Sequence, residues 1–149
     1  MVAPFSIDGA SSNSGAVQTW ARGQRCIIPA ESFFEPCWET GKHVAWRFCR
    51  ADGAPWGLAG LWNAWTDPET GEIVQSYTIV TLNADSHPLM SRMHRPDLKR
   101  PLNLQDKRSV VPIALADVDA WLTASTQDAA ALVRLAPAED FEGGPATAS

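Results

Sequence analysis

Apolar residues fall into short runs or strict alternation through the first three quarters of this chain, and take helical spacing only beyond Asp117. The early spacing is that of strands. It predicts them at Arg25–Ile28, Phe33–Glu35, Val44–Phe48, Trp56–Trp62, Ile73–Leu82 and Val110–Ile113. Pro29 lacks the N–H a ladder needs and is expected to end the first of these. Asp52-Gly53 and the segment Asp67–Gly71 (DPETG) read as turns, the second closing a hairpin. Ser6–Gly15 is small, polar and glycine-rich, hence a loop, followed by a helical turn over Val17–Trp20. A short helix is expected over Ser86–Met93, with Pro88 near its first turn. Two more follow, at Asp117–Thr123 and, capped by Ser125 or Thr126, through Leu135. Many short strands followed by helices define an α+β fold with a mostly antiparallel, strongly curved sheet. One domain is expected over residues 1–136, with a disordered tail at 137–149.

Composition sharpens this picture at three points. Seven tryptophans against one tyrosine supply large flat faces, suited to a core and also to stacking on bases. Most of the seven are expected in the core. The net charge of −5 argues against unspecific adhesion to nucleic acid. Yet residues 92–108 hold six cations against two anions, a +4 segment in a chain that is otherwise −9. That asymmetry fits either a local phosphate-binding patch or a solvated basic loop. Cys26, Cys37 and Cys49 form no close pair, which excludes a disulfide framework and a zinc signature and fits reduced cytosolic thiols. No apolar run reaches the ~20 residues of a membrane span, so a soluble, cytoplasmic protein is expected.

Two residues stand out as candidates for chemistry. Glu35 follows two phenylalanines within RCIIPAESFFEP, and a carboxylate beside aromatic rings is poorly solvated and suited to exchanging protons. A surface glutamate at a strand end is the competing reading. His94 lies in HPLMSRMHRP, flanked by Arg92 and Arg95. Histidine titrates near neutral pH, and its arginine neighbours suit contact with a phosphate or sugar; a plain loop histidine is the alternative. His87 and His94 lack metal-ligand spacing, so no metal site is expected. There is no G-x-S-x-G elbow or glycine-rich phosphate loop, and Cys26 and Cys37 remain lesser nucleophile candidates.

The segments Arg25–Trp38 (RCIIPAESFFEPCW), Gly57–Trp65 (GLAGLWNAW), Tyr77–Asp85 (YTIVTLNAD), His87–His94 and Val110–Ile113 together resemble the SOS response-associated peptidase (SRAP) family of abasic-site processing proteins. The resemblance runs in consistent order over residues 18–125. It implies a curved, barrel-like sheet with peripheral helices and a protein that binds abasic sites in single-stranded DNA in the response to DNA damage; no cofactor is expected, and the oligomeric state is left open, a monomer being the default expectation. It further implies covalent protein–DNA linkage through an N-terminal cysteine, with protease, hydrolase and lyase-type activities. Glu35 and His94 match the family's proton-shuttling glutamate and histidine and are expected to face each other across a groove. Thr81 and Arg108 match positions at the family's DNA site, and Arg92 and Arg95, from the basic segment around His94, are expected to bind DNA beside them.

Position 2 is Val2 rather than cysteine, and Met1–Phe5 resembles an internal family segment. The sequence thus reads as one that begins late, with no stable DNA crosslink expected and with Trp56, Leu58 and Trp62 wetter than in longer relatives. The alternative function is non-catalytic binding of single-stranded or damaged DNA.

Overall fold

The computed structural model describes residues 6–7 and 15–146. The readings placed on Val2 and Met1–Phe5 lie outside the described residues. Among the described residues eight strands and three short α-helices follow one another: β1 (Ser6–Ile7), α1 (Gly15–Ala21), β2 (Arg25–Ala30), β3 (Phe33–Cys37), β4 (Val44–Arg50), β5 (Trp56–Thr66), β6 (Ile73–Asn83), β7 (Arg108–Val110), α2 (Val118–Thr123), α3 (Thr126–Ala130) and β8 (Phe141–Pro145). The fold is α+β, a curled antiparallel half-barrel with few helices. One sheet runs β1-β6-β5-β2 with β7 also on β6, and the other runs β3-β4-β8.

The curl has a local cause. β7 pairs with the end of β6 (Thr81↔Val110, Asn83↔Arg108), and its continuation crosses onto β5, where Ala59 donates to Val111 and Ile113 to Gly57. One segment therefore spans two strands, and β5 and β6 must splay around it. β5 accordingly buries both faces. Leu58 belongs to a cluster with Phe48, Trp56, Met90, Met93 and Phe141. Ala59 and Leu61 belong to another with Trp20, Val80, Val111 and Trp121, which seats α1 and α2 on the sheet. Trp56 and Leu58 are thus buried, against expectation, while Trp62 is 42% exposed.

Several expected boundaries move for identifiable reasons. Pro29 does not end β2; pairing continues through Ala30↔Trp56, because β2 is the last strand of its sheet and an edge tolerates a missing donor. The helix expected over Ser86–Met93 shrinks to a single 3-10 turn, Met90–Arg92. His87 Nδ1 accepts the amides of Leu89 and Met90 and so takes over the start of that helix. With both amides donating to Nδ1, the proton sits on Nε2, which donates to the carbonyl of Ala136 at 2.8 Å. The helix expected through Leu135 stops at Ala130, and the chain continues in i→i+3 turns at Ala131, Leu132 and Val133. Its cap is Ser125, whose Oγ accepts from the amide of Asp128. Ser6–Ile7, expected in a loop, pairs with Val80 and Thr81.

The largest correction concerns the tail. Residues 141–145 are not disordered but form β8 against β4. Phe141 buries its ring against Trp56, 5.1 Å between centroids. Gly143 lies so close over the Phe48 ring that a Cβ would stand 2.3 Å from it. The missing side chain of Gly143 is what admits the strand over this ring.

Candidate functional site

Strand periodicity explains how Glu35 comes to be shielded. Residues 33, 35 and 37 share one face of β3. Phe33 stacks on Phe48 at 5.3 Å and Cys37 is buried in the same cluster, so Glu35 is carried inward between them and its side chain is 15% exposed. Phe34, on the other face, is left open to solvent.

His94 reaches Glu35 by a backbone route. Met93 is buried and bridges to Cys37, and the chain then turns through a positive φ of 62° at His94. That left-handed conformation is uncommon for any residue but glycine. The His94 amide donates to the carbonyl of Pro36 at 2.5 Å. The outcome is Nε2 of His94 3.1 Å from Oε2 of Glu35. The carboxylate approaches at ion-pair distance but off the ring N–H axis, and Nε2 is shielded from solvent with no aligned hydrogen-bond partner.

Two tryptophan–arginine pairs rim this couple. Trp46 lies opposite Glu35 in the sheet register, and Arg92 sits over its ring at 5.1 Å. Arg95 sits over Trp38 at 5.2 Å. Arg92 is also gripped by both carboxylate oxygens of Glu39, at 2.7 and 2.8 Å, and that hydrogen bond holds Glu39 below its ordinary carboxylate range. Arg95 forms no ion pair among the described residues and is the more open cation.

Most cations of the basic segment are engaged within the protein. Arg92 is closed by Glu39, Arg100 by Asp97 and Arg108 by Asp106. Lys107 is buried, its ammonium donating to the carbonyls of Met93 and His94. Arg95 and Lys99 remain without ion pairs among the described residues. Thr81 is only 5% exposed near the end of β6, between β1 and β7, and so offers little surface to DNA. One larger hollow lies between Arg50, Trp56, Ile113 and Arg134 and another between Cys26, Ile28, Trp62 and Tyr77; neither is lined by Glu35 or His94.

Lys107, Glu39, Trp38 and Trp46 were not singled out from the sequence. Lys107 did carry a signal: alternation back from Val111 through Ser109 puts it on the inward face, and all three are buried. Cys37 Sγ has Glu39 at 3.9 Å as its polar neighbour, and burial raises the Cys26 thiol above its ordinary range. Among the described residues no cluster of three or more His, Cys, Asp or Glu could hold a metal ion. No helix among them is long and apolar enough to cross a membrane.

A curled antiparallel half-barrel bearing a carboxylate–imidazole couple at the edge of its smaller sheet is the class of protein these features define. The chain belongs to the SOS response associated peptidase (SRAP) family, whose model it matches over residues 10–147. Among solved structures it is similar to a Bordetella bronchiseptica protein, with 38% identity and a TM-score of 0.79 over 89% of this chain and 59% of that one. It is also similar in fold to a Bacteroides thetaiotaomicron protein, with 20% identity and a TM-score of 0.71 over 88% of this chain and 53% of that one. The chain therefore spans little more than half the length of these structures. Comparison with curated proteins finds no match.

Proposed function

We propose that this protein recognises abasic sites in single-stranded DNA during the response to DNA damage, and that Glu35 and His94 move protons on the baseless sugar. The single observation that carries the reading is the 3.1 Å approach of a shielded carboxylate to an imidazole. An abasic deoxyribose is a cyclic hemiacetal, and its aldehyde appears only after ring opening. In that step the carboxylate of Glu35 takes the proton from the C1′ hydroxyl, the C1′ carbonyl forms, and the C1′–O4′ bond breaks. The protonated imidazole of His94 supplies the proton that O4′ acquires. At 3.1 Å the two side chains then return the proton directly, so the step needs no further reactant. The ring oxygen O4′ would also give Nε2 of His94 the aligned partner it lacks.

A sugar without its base costs little to expose, which favours a shallow site over a deep base-holding pocket. Neighbouring bases would stack on the open faces of Arg95 and Trp38. Any peptidase, hydrolase or lyase-type activity, and any covalent linkage to DNA, belongs to this proposal in the same way.

Fluorescence polarisation tests it. A labelled single strand with one central abasic site should bind more tightly than the same strand with thymidine there, and Glu35→Gln should abolish the difference. Equal affinity for both strands would favour the second reading, binding without chemistry.

A further inference from the structure

Lys107 is 7% exposed, an unusual place for an ammonium group. Burial pushes it below its ordinary range, opposed by the charge of Asp85. Its three donors are not spent on a carboxylate. Nζ donates at 2.7 Å to the carbonyl of Met93 and at 2.6 Å to that of His94. Those carbonyls belong to the peptide planes before and after the His94 α-carbon, so together they fix both of its backbone torsions. The torsion they fix is the left-handed one, φ 62°. The third fastening is the His94 amide on Pro36 O, next to Glu35.

Lys107 is itself held from behind. Its amide donates to Asp85 Oδ1 at 2.7 Å, its carbonyl accepts from Ala84 at 2.7 Å, and β7 begins at the next residue. We propose that Lys107 is the positioning residue of the Glu35–His94 couple: its buried ammonium grips the carbonyls on both sides of His94 and holds the turn that lays the imidazole against Glu35. This rests on the proton-transfer reading of the couple, but the geometry can be tested without DNA.

The experiment uses the full chain with ¹³C-labelled histidine. In the wild-type background, Glu35→Gln should shift the His94 ring resonances, because the ring loses the carboxylate at 3.1 Å. In a Lys107→Met background that response should vanish, while the ring of His87, held by other partners, keeps its position. The abasic preference in polarisation should fall to that of Glu35→Gln. A folded Lys107→Met protein whose His94 ring still responds fully to Glu35→Gln would overturn the proposal. If Lys107→Met collapses the amide spectrum, Asp85→Asn, which loosens the Lys107 backbone and keeps the ammonium, decides instead. A weakened response supports the clamp, and an unchanged one overturns it. Loss of the ring response in a protein with no abasic preference would leave the clamp standing and remove the functional reading. A preference that needs Glu35 and His94 but ignores Lys107→Met would remove the clamp alone.

Discussion

The amide of His94 donates to the carbonyl of Pro36, while its imidazole comes within 3.1 Å of the Glu35 carboxylate. Two segments nearly sixty residues apart in sequence are thus joined by backbone and side chain at one point. The catalytic reading depends on that junction, and the fold does not depend on the carboxylate within it. Glu35→Ala should therefore fold as the wild type does, shifting unfolding free energy in urea by less than about 1 kcal/mol, as for a weak partly exposed ion pair. A substantially larger loss would make Glu35 a structural residue.

Ionic pairing within residues 92–108 leaves Arg95 and Lys99 as its open cations among the described residues. At about 0.7 per phosphate on single strands, log K for single-stranded DNA should fall with log salt at a slope of about −1.4 from this segment. A slope near about −4 would mean that all six cations reach phosphates and that the ion pairs open on binding.

Gly143→Ala should loosen β8. The added methyl would meet the edge of the Phe48 ring at 2.3 Å, and a ring locked between Phe33 and Phe141 has little room to yield. Overpacking of this kind costs about 1–3 kcal/mol. The check is thermal unfolding together with hydrogen exchange at the β4 amides, which should lose protection in the variant.

How much of this was legible follows the physics of each element. Strands β2 to β6 announce themselves because alternation and apolar runs are local properties of the sequence. β8 did not, because its seat on the Phe48 ring rests on Gly143, and a missing side chain carries no pattern. Glu35 was legible from its phenylalanine neighbours, and His94 from the arginines around it. That they face each other followed only from the family resemblance, while their direct approach at 3.1 Å depends on a left-handed turn that no propensity assigns to histidine. The basic segment stayed open between two readings for a related reason: charge counts along a chain do not reveal that Glu39, far from it in sequence, closes Arg92.

Acid should act on the loop behind His94 through Asp85. Burial pushes that carboxyl up, but hydrogen bonds from the amides of Lys107 and Asp106 and from Asn83, with the charge of Lys107, outweigh it and hold it below 3.8. A depressed carboxylate stabilises the fold above its ordinary value and loses that contribution as pH falls through the depressed one. The Lys107 amide resonance should therefore stay fixed down to about pH 4 and move only below it. A midpoint at or above the ordinary carboxylate value would show that Asp85 is not engaged.

Proton transfer by the couple is read most directly on the sugar itself. In a single strand carrying a ¹³C1′-labelled abasic site, the two closed anomers interconvert only through the open aldehyde, and NMR exchange measures that rate. A catalytic amount of the protein should accelerate the exchange by about a hundredfold or more, the range of general acid–base catalysis, and Glu35→Gln and His94→Ala should each return it to the rate of free DNA. An exchange rate unchanged by the protein, or an acceleration that survives both substitutions, would contradict the account.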